Sequence, residues 1–207
     1  MFLSRVRIFA ALIAASAASP VVAQEPAPAA ETQESATEGA IAFAKELTAD
    51  AATALTSDKS EADQLADFRQ VLSDGMALDV IGKFMIGETA KSMSAEQTAR
   101  YGAVFPNYLT KLYAEQFKDI VGKPLEVVEA KALGARDVIV RTRFDRKEGG
   151  PINVDWRVRK LKSGERKAID IIVQGVSIML VKREEFSSFV ATKGVDALLD
   201  RLEAEAI

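Results

Sequence analysis

Residues 136–174 read RDVIVRTRFDRKEGGPINVDWRVRKLKSGERKAIDIIVQ, and the period-two alternation in this stretch decides the fold class. Val138, Val140, Thr142 and Phe144 are followed by Ile152, Val154, Trp156 and Val158, then by Ile169, Ile171 and Val173, with charged residues between them. Strands are therefore predicted over 136–145, 152–161 and 165–174, with a further one over 125–130. The separators 131–135, 146–151 and 162–164 are rich in turn formers and short, which suits an antiparallel four-stranded meander. A slip of one residue would turn every side chain over, so the register must keep the three apolar sets on one face. Asp155 and Asp170 then share the opposite face with Arg141 and Arg143.

Outward from this sheet the period changes to that of helices. Ile41, Ala44, Leu47, Ala51 and Leu55 mark a helix between Gly39 and Thr56. Ser60 with Asp63 resembles a capping box opening a second helix that carries Leu65, Phe68 and Leu72 and closes near Asp74 and Gly75. A shorter helix carries Leu78, Ile81, Phe84 and Met85 up to Gly87. Ser94 with Gln97 caps a long one, striped with Tyr101, Val104, Phe105, Tyr108, Leu109, Leu112, Tyr113, Phe117 and Ile120, in which Pro106 predicts a kink. After Ser177 the helical period returns with Met179, Phe186 and Val190, breaks at Gly194, and ends in a helix holding Val195, Leu198, Leu199 and Leu202. Helices, then a meander, then helices define an α+β domain with the helices against one face of the sheet.

At the N-terminus, Arg5 and Arg7 precede a charge-free apolar run from Ile8 to Ala18, and Val21-Val22-Ala23 offers a small-residue cleavage site. This reads as a secretory signal peptide over 1–23; the competing reading, a membrane anchor, needs a longer run, roughly 20 residues. Residues 24–38, made of Ala, Pro, Glu, Thr and Ser with no large apolar side chain, read as a flexible linker, and 39–207 as one domain. A bacterial periplasmic location follows from the short alanine-rich leader.

Composition removes most familiar chemistry. The 207 residues include no His and no Cys, so Ser-His-Asp and Cys-His catalysis, zinc sites built on thiolate or imidazole, and disulfides are excluded, which leaves carboxylate or lysine chemistry, hard-cation binding through oxygens, or no chemistry. The balance of 27 basic and 30 acidic residues, net −3, does not suit a nucleic-acid binder. No metal, phosphate-loop or EF-hand motif occurs. Asp155 and Asp170 could be paired carboxylates of a hydrolase, but an arginine and aspartate row across a solvated sheet face is the simpler reading. Gly175-Val176-Ser177 lacks the spacing of a nucleophile elbow and is read as a strand-to-helix turn whose serine caps the next helix. Arg183 lies beside the apolar stripe of Met179, Phe186 and Val190, where a carboxylate from the sheet or a ligand's phosphate would accommodate it. The row Arg141, Arg143, Arg157 and Arg159 is a candidate docking surface for a protein partner, with Arg157 and Arg159 foremost.

Val154-Asp155-Trp156, Asp170, Gln174-Gly175-Val176-Ser177, Arg183 with Phe186, and Gly194 with Asp196 before a leucine-bearing helix form an ordered string that resembles the MlaC family, also called toluene-tolerance or auxiliary transport proteins. The segment from Leu78 to Gly87 and the capped helix after Ser94 agree. The chain departs from the family pattern at Gln174, where glutamate is usual, at Lys182, where an aromatic often stands, and at Ala168-Ile169. The resemblance does not separate this family from a related branch, HpnM, which is associated with hopanoid lipids. The resemblance implies a non-enzymatic periplasmic carrier, expected as a monomer without cofactor, that holds a phospholipid with its tails inside. Its partners would be an outer-membrane lipoprotein complex and an inner-membrane ABC transporter with an MCE-domain subunit. A gap between the apolar sheet face and the aromatic helix stripe would then form an apolar lipid pocket, drawn from Phe84, Met85, Phe105, Tyr108, Leu112, Val140, Val154, Trp156, Ile171 and Phe186. A periplasmic chaperone for lipoproteins or other hydrophobic cargo could use the same cavity.

Overall fold

The computed structural model describes residues 32–117, 123, 125–145 and 150–206. The signal-peptide reading and residues 24–31 of the linker lie outside them. Helix α1 (Gln33–Thr56) starts six residues before the predicted Gly39, because Thr32 supplies a cap, its hydroxyl accepting from the Ser35 N–H at 3.2 Å. Its buried line is Ala40, Ala44, Leu47 and Ala54; Ala44 and Leu47 are as predicted, while the predicted Ile41, Ala51 and Leu55 are only partly buried beside them. Small side chains there let the helix lie close to its neighbours.

Helix α2 (Glu61–Gly75) is capped by Ser60, whose hydroxyl takes the Asp63 N–H at 3.2 Å. Helix α3 (Leu78–Ile86) stops at Gly87, whose φ of +53° suits glycine, and a 3₁₀ turn (Gly87–Lys91) follows. Helix α4 (Ala95–Phe117) opens on a reciprocal capping box: the Ser94 hydroxyl accepts from the Gln97 N–H at 3.1 Å and the Gln97 carboxamide accepts from the Ser94 N–H at 3.0 Å. Gly82 lets α3 approach α4, since a Cβ there would stand 3.1 Å from the Phe105 ring, and the Tyr101 hydroxyl donates to the Gly82 carbonyl at 2.9 Å.

Strands β1 (Leu125–Leu133), β2 (Asp137–Phe144), β3 (Ile152–Lys160), β4 (Arg166–Val173) and β5 (Val176–Ser177) form one antiparallel sheet in chain order. The predicted meander had four strands and the sheet has five. The missed hairpin turns on Gln174 and Gly175, both at positive φ (51° and 81°) as a type I′ turn demands, and joins Val173 to Val176. Glutamine rarely holds that position, so the turn was hidden behind an unusual residue.

Register follows the parity argument across β2 and β3, where Val138, Val140, Thr142 and Phe144 face Val158, Trp156, Val154 and Ile152. On β4 it holds only in part. Trp156 pairs with Ile171, but a bulge follows and Val158 pairs with Ala168, leaving Ile169 as the extra residue. Ala168 therefore joins the main core in the place expected for Ile169, which is buried outside that cluster. A parallel bridge from Met76 to Ala168, with the Ala77 N–H donating to the Ala168 carbonyl at 3.0 Å, ties the α2–α3 connection to the same point.

Helices α5 (Ile178–Lys193) and α6 (Val195–Glu205) complete the domain, separated at Gly194. Arg100 on α4 clamps α6 by pairing with Glu203 and Asp200, each at 2.6 Å. No helix among the described residues is long and apolar enough to cross a membrane.

Candidate functional site

The inner sheet face meets the helices in one continuous apolar cluster. All ten predicted pocket residues converge there. Met85, Phe105, Tyr108, Val140, Val154, Trp156, Ile171 and Phe186 are buried, while Phe84 and Leu112 are partly buried against them. Phe105 packs on Tyr101 with ring centroids 5.2 Å apart, and Tyr108 on Phe186 at 5.8 Å. Two buried polar side chains in this apolar setting, Trp156 and Thr142, are matched to one another and to the backbone. The Trp156 indole N–H donates to the buried Thr142 hydroxyl at 3.2 Å, and that hydroxyl donates onward to the Val154 carbonyl. Burial pushes the phenols of Tyr101 and Tyr113 far above their ordinary pKa, so both stay neutral. The ten residues fill core positions, and two described clefts lie elsewhere. One of about 360 Å³ runs between α1 and α2 beside Leu47 and Gly75, and one of about 490 Å³ lies beside Leu65 and Lys111.

On the outer face the charged residues form a cross-strand ladder. Glu126 pairs with Arg143 at 2.6 Å, and Arg141 holds Glu129 at 2.9 Å and Asp155 at 3.3 Å. Asp137, which the sequence reading passed over, receives Arg157 at 2.7 Å and Arg159 at 2.6 Å. Strand parity alone placed it beside Arg159, and that was the available signal. Burial pushes the Asp137 carboxyl up, but hydrogen bonds from Arg159 and Arg157 outweigh it and hold the group below the ordinary aspartate value.

Asp155 and Asp170 share this face, as parity required, but they are not arranged as an acid and base pair. Asp155 stands across from Ile172, and Asp170 across from Arg157. The second Asp155 oxygen, Oδ1, has no hydrogen-bond partner among the described residues. Asp170 is not solvated; the β4–β5 hairpin and the start of α5 close over it. It accepts from the Ser177 hydroxyl at 2.6 Å and from the Met179 N–H at 3.4 Å, while Ser177 accepts from the Leu180 N–H at 3.1 Å. Ser177 is thus the predicted helix cap, and Asp170 is the group that holds it. Burial raises the Asp170 pKa.

Arg183 meets no sheet carboxylate among the described residues. Its guanidinium lies over the Phe84 ring, 4.7 Å from the centroid. The adjacent Lys182 pairs with Glu185 at 2.8 Å and lies 6.0 Å from the Tyr108 centroid. Among the described residues no cluster of three or more Asp or Glu could hold a metal ion.

An antiparallel sheet with an ion-paired outer face, and an inner face given over to an aromatic and aliphatic cluster under helices, defines an α+β domain. The chain belongs to the MlaC protein family, whose model matches residues 45–204. It is 26% identical over 132 residues to a Haemophilus influenzae protein named intermembrane phospholipid transport system binding protein MlaC, an alignment covering 62% of each chain. The fold matches that of a phospholipid-binding protein of Ralstonia solanacearum solved in complex with a phospholipid, with a TM-score of 0.67 and 20% identity over 80% of this chain and 95% of that one.

Proposed function

We propose that this protein is a periplasmic phospholipid carrier, without catalytic activity or cofactor, that encloses acyl tails between the inner sheet face and helices α3, α4 and α5. The observation that carries this reading is the convergence of all ten predicted residues in one apolar cluster, in a chain of the MlaC family. At ~0.8 kcal/mol per methylene, roughly thirty methylenes crossing water unshielded would cost on the order of 20 kcal/mol, so a shuttle must enclose them. Dispersion and apolar burial need no histidine, cysteine or metal. Tails would enter only as the helices stand off the sheet, so that contacts with the acyl chains replace those between the two layers.

The lipid would pass between an outer-membrane lipoprotein complex and an inner-membrane ABC transporter with an MCE-domain subunit. Arg157 and Arg159 on the outer ladder are the proposed partner contacts; changing both to Gln together with Asp137→Asn, so that no buried carboxylate is left unpaired, should abolish capture of one of these complexes while the melting transition shows the protein still folded. The central test is native mass spectrometry of the purified mature chain, followed by organic extraction. Diacyl phospholipid at near one per chain is the expected result. A hopanoid would move the cargo to the sister branch, and acylated polypeptide captured at one per chain would replace the carrier by a chaperone. Enlarging Val140 and Ile171 to Phe together should empty the folded protein of lipid, and full occupancy would place the pocket elsewhere.

A further inference from the structure

Arginines on the outer ladder and between helices have carboxylates: Arg141, Arg143, Arg157 and Arg159 on the sheet, Arg100 and Arg201 on the helices. Arg69 and Arg136 are exposed, where water serves the guanidinium. Arg183 is half-buried, and no carboxylate or carbonyl accepts from it among the described residues. Its neighbours account for its position without neutralising it. The Phe84 ring supports one flat face, and Gly87 gives it room, the guanidinium carbon lying 3.4 Å from where a Cβ would stand. Lys182 is already matched to Glu185, and Glu88 to Lys91 at 2.6 Å.

A guanidinium held flat by a ring keeps its edge of N–H donors free, and that edge fits two oxygens of one phosphate. One turn before it, Leu180 and Val181 are 53% and 49% exposed, and Val176 55%. Phe84, against which it rests, packs in turn on the apolar cluster that holds Tyr108 and Phe186. Exposed apolar side chains and a cation with no carboxylate among the described residues thus share the first turns of α5, beside a ring that packs on the apolar cluster.

We infer that Arg183 binds the headgroup phosphate of the cargo, its fork taking the two non-bridging oxygens of the phosphodiester while Phe84 holds the guanidinium flat; the inference rests on the carrier reading. It gives the protein a preference for phosphate-bearing lipids over neutral ones with the same tails.

The test loads delipidated full-length mature protein from vesicles containing equal amounts of phosphatidylethanolamine and diacylglycerol of identical chains, and reads the bound lipids by native mass spectrometry. The wild type should favour the phospholipid. In R183Q, and in R183M, which keeps an apolar stem over Phe84, the ratio should fall about tenfold or more with diacylglycerol uptake unchanged. Both variants are checked for a wild-type melting transition, and either one that folds suffices. An unchanged ratio in a folded variant that still takes up phospholipid overturns the role of Arg183 and leaves the carrier standing. Uptake of neither lipid by the wild type overturns the carrier and this inference with it. Inorganic phosphate at about 10 mM, without lipid, should leave both proteins' melting transitions alike; a rise confined to the wild type would assign Arg183 to a free anion and overturn the headgroup role.

Discussion

The two faces of the sheet come from the same strands and are stabilised in opposite ways. Val138, Val140, Phe144, Val154, Trp156, Val158, Ala168 and Ile171 of the inner face are held by burial, which is non-directional and indifferent to which apolar atom is the neighbour. The outer face is held by directed pairs, Glu126 with Arg143, Glu129 and Asp155 with Arg141, and Asp137 with Arg157 and Arg159. Only the first kind of surface can exchange a side chain for an acyl chain without leaving charges unmatched. The carboxylates that might suggest hydrolysis are committed to arginines or to a helix cap, and this difference between the faces supports the proposal that puts binding on the inner one.

Breaking the inner face should cost most. Phe144, 1% exposed at the end of β2 and outside the proposed pocket, should destabilise the domain by about 3–5 kcal/mol when changed to Ala, read from urea unfolding. A loss under about 1 kcal/mol would mean that the face is loosely packed, against the comparison drawn above. On the outer face the largest loss is expected at Asp137, the residue on which two arginines converge. Asp137→Asn should cost about 1.5–3 kcal/mol near neutral pH. Because the folded pKa of Asp137 lies below the ordinary aspartate value of 3.8, its stabilisation is present above that value and is lost as pH falls through the lower folded one. Acid titration of the urea midpoint should therefore be flatter in Asp137→Asn than in the wild type, and parallel curves would refute the assignment.

Glu126 tests the exposed end of the same ladder. Its side chain is 58% exposed and that of its partner Arg143 is 45% exposed, so water and salt screen the pair. Glu126→Gln should cost roughly 0.2–1 kcal/mol, vanishing in about 1 M salt. A loss matching that of Asp137→Asn would show that the ladder acts as a cooperative unit and not as separate pairs.

How much of this was legible depended on whether a residue's own pattern carried the information. The inner face was readable because period-two alternation in β2 and β3 leaves a single pairing parity, the one that puts Val140 and Trp156 on the buried side. Both serine caps, Ser60 and Ser94, were readable for the same local reason. Ile169 was misplaced because a bulge is a one-residue insertion that no alternation announces. The fifth strand was missed because Gln174, not asparagine or glycine, occupies a left-handed position in the hairpin turn. The convergence of ten pocket candidates was legible as a list of apolar positions. Their contacts with one another were not, since the pairing of Tyr108 with Phe186 joins two helices 78 positions apart in the chain. Arg183 was legible as a misfit on an apolar stripe, but its support on Phe84 required the packing of α3 against α5.

The hairpin that sequence reading missed creates the last contrast, between Asp137 and Asp170. Both are buried outer-face carboxylates, at 6% and 5% exposure, yet burial wins in Asp170 and loses in Asp137. Asp170 receives a hydroxyl and one backbone N–H, with Arg157 acting on it only through the field, whereas Asp137 receives two guanidinium groups directly. With its folded pKa raised above 3.8, Asp170 contributes fully below that value and its contribution is lost as pH rises through the folded one. At neutral pH the wild type therefore carries a penalty that a neutral side chain of the same shape removes. Asparagine can donate to Ser177 and accept from Met179, so the cap of α5 survives the change. Asp170→Asn should leave stability near neutral pH the same or raise it by roughly a few tenths of a kcal/mol, with the wild-type advantage confined to acid. Urea midpoints of the two proteins between about pH 3 and pH 7 check this. A loss above about 1.5 kcal/mol at pH 7 would mean that the ionised carboxylate is the better cap, and that both outer-face aspartates stabilise the fold as anions.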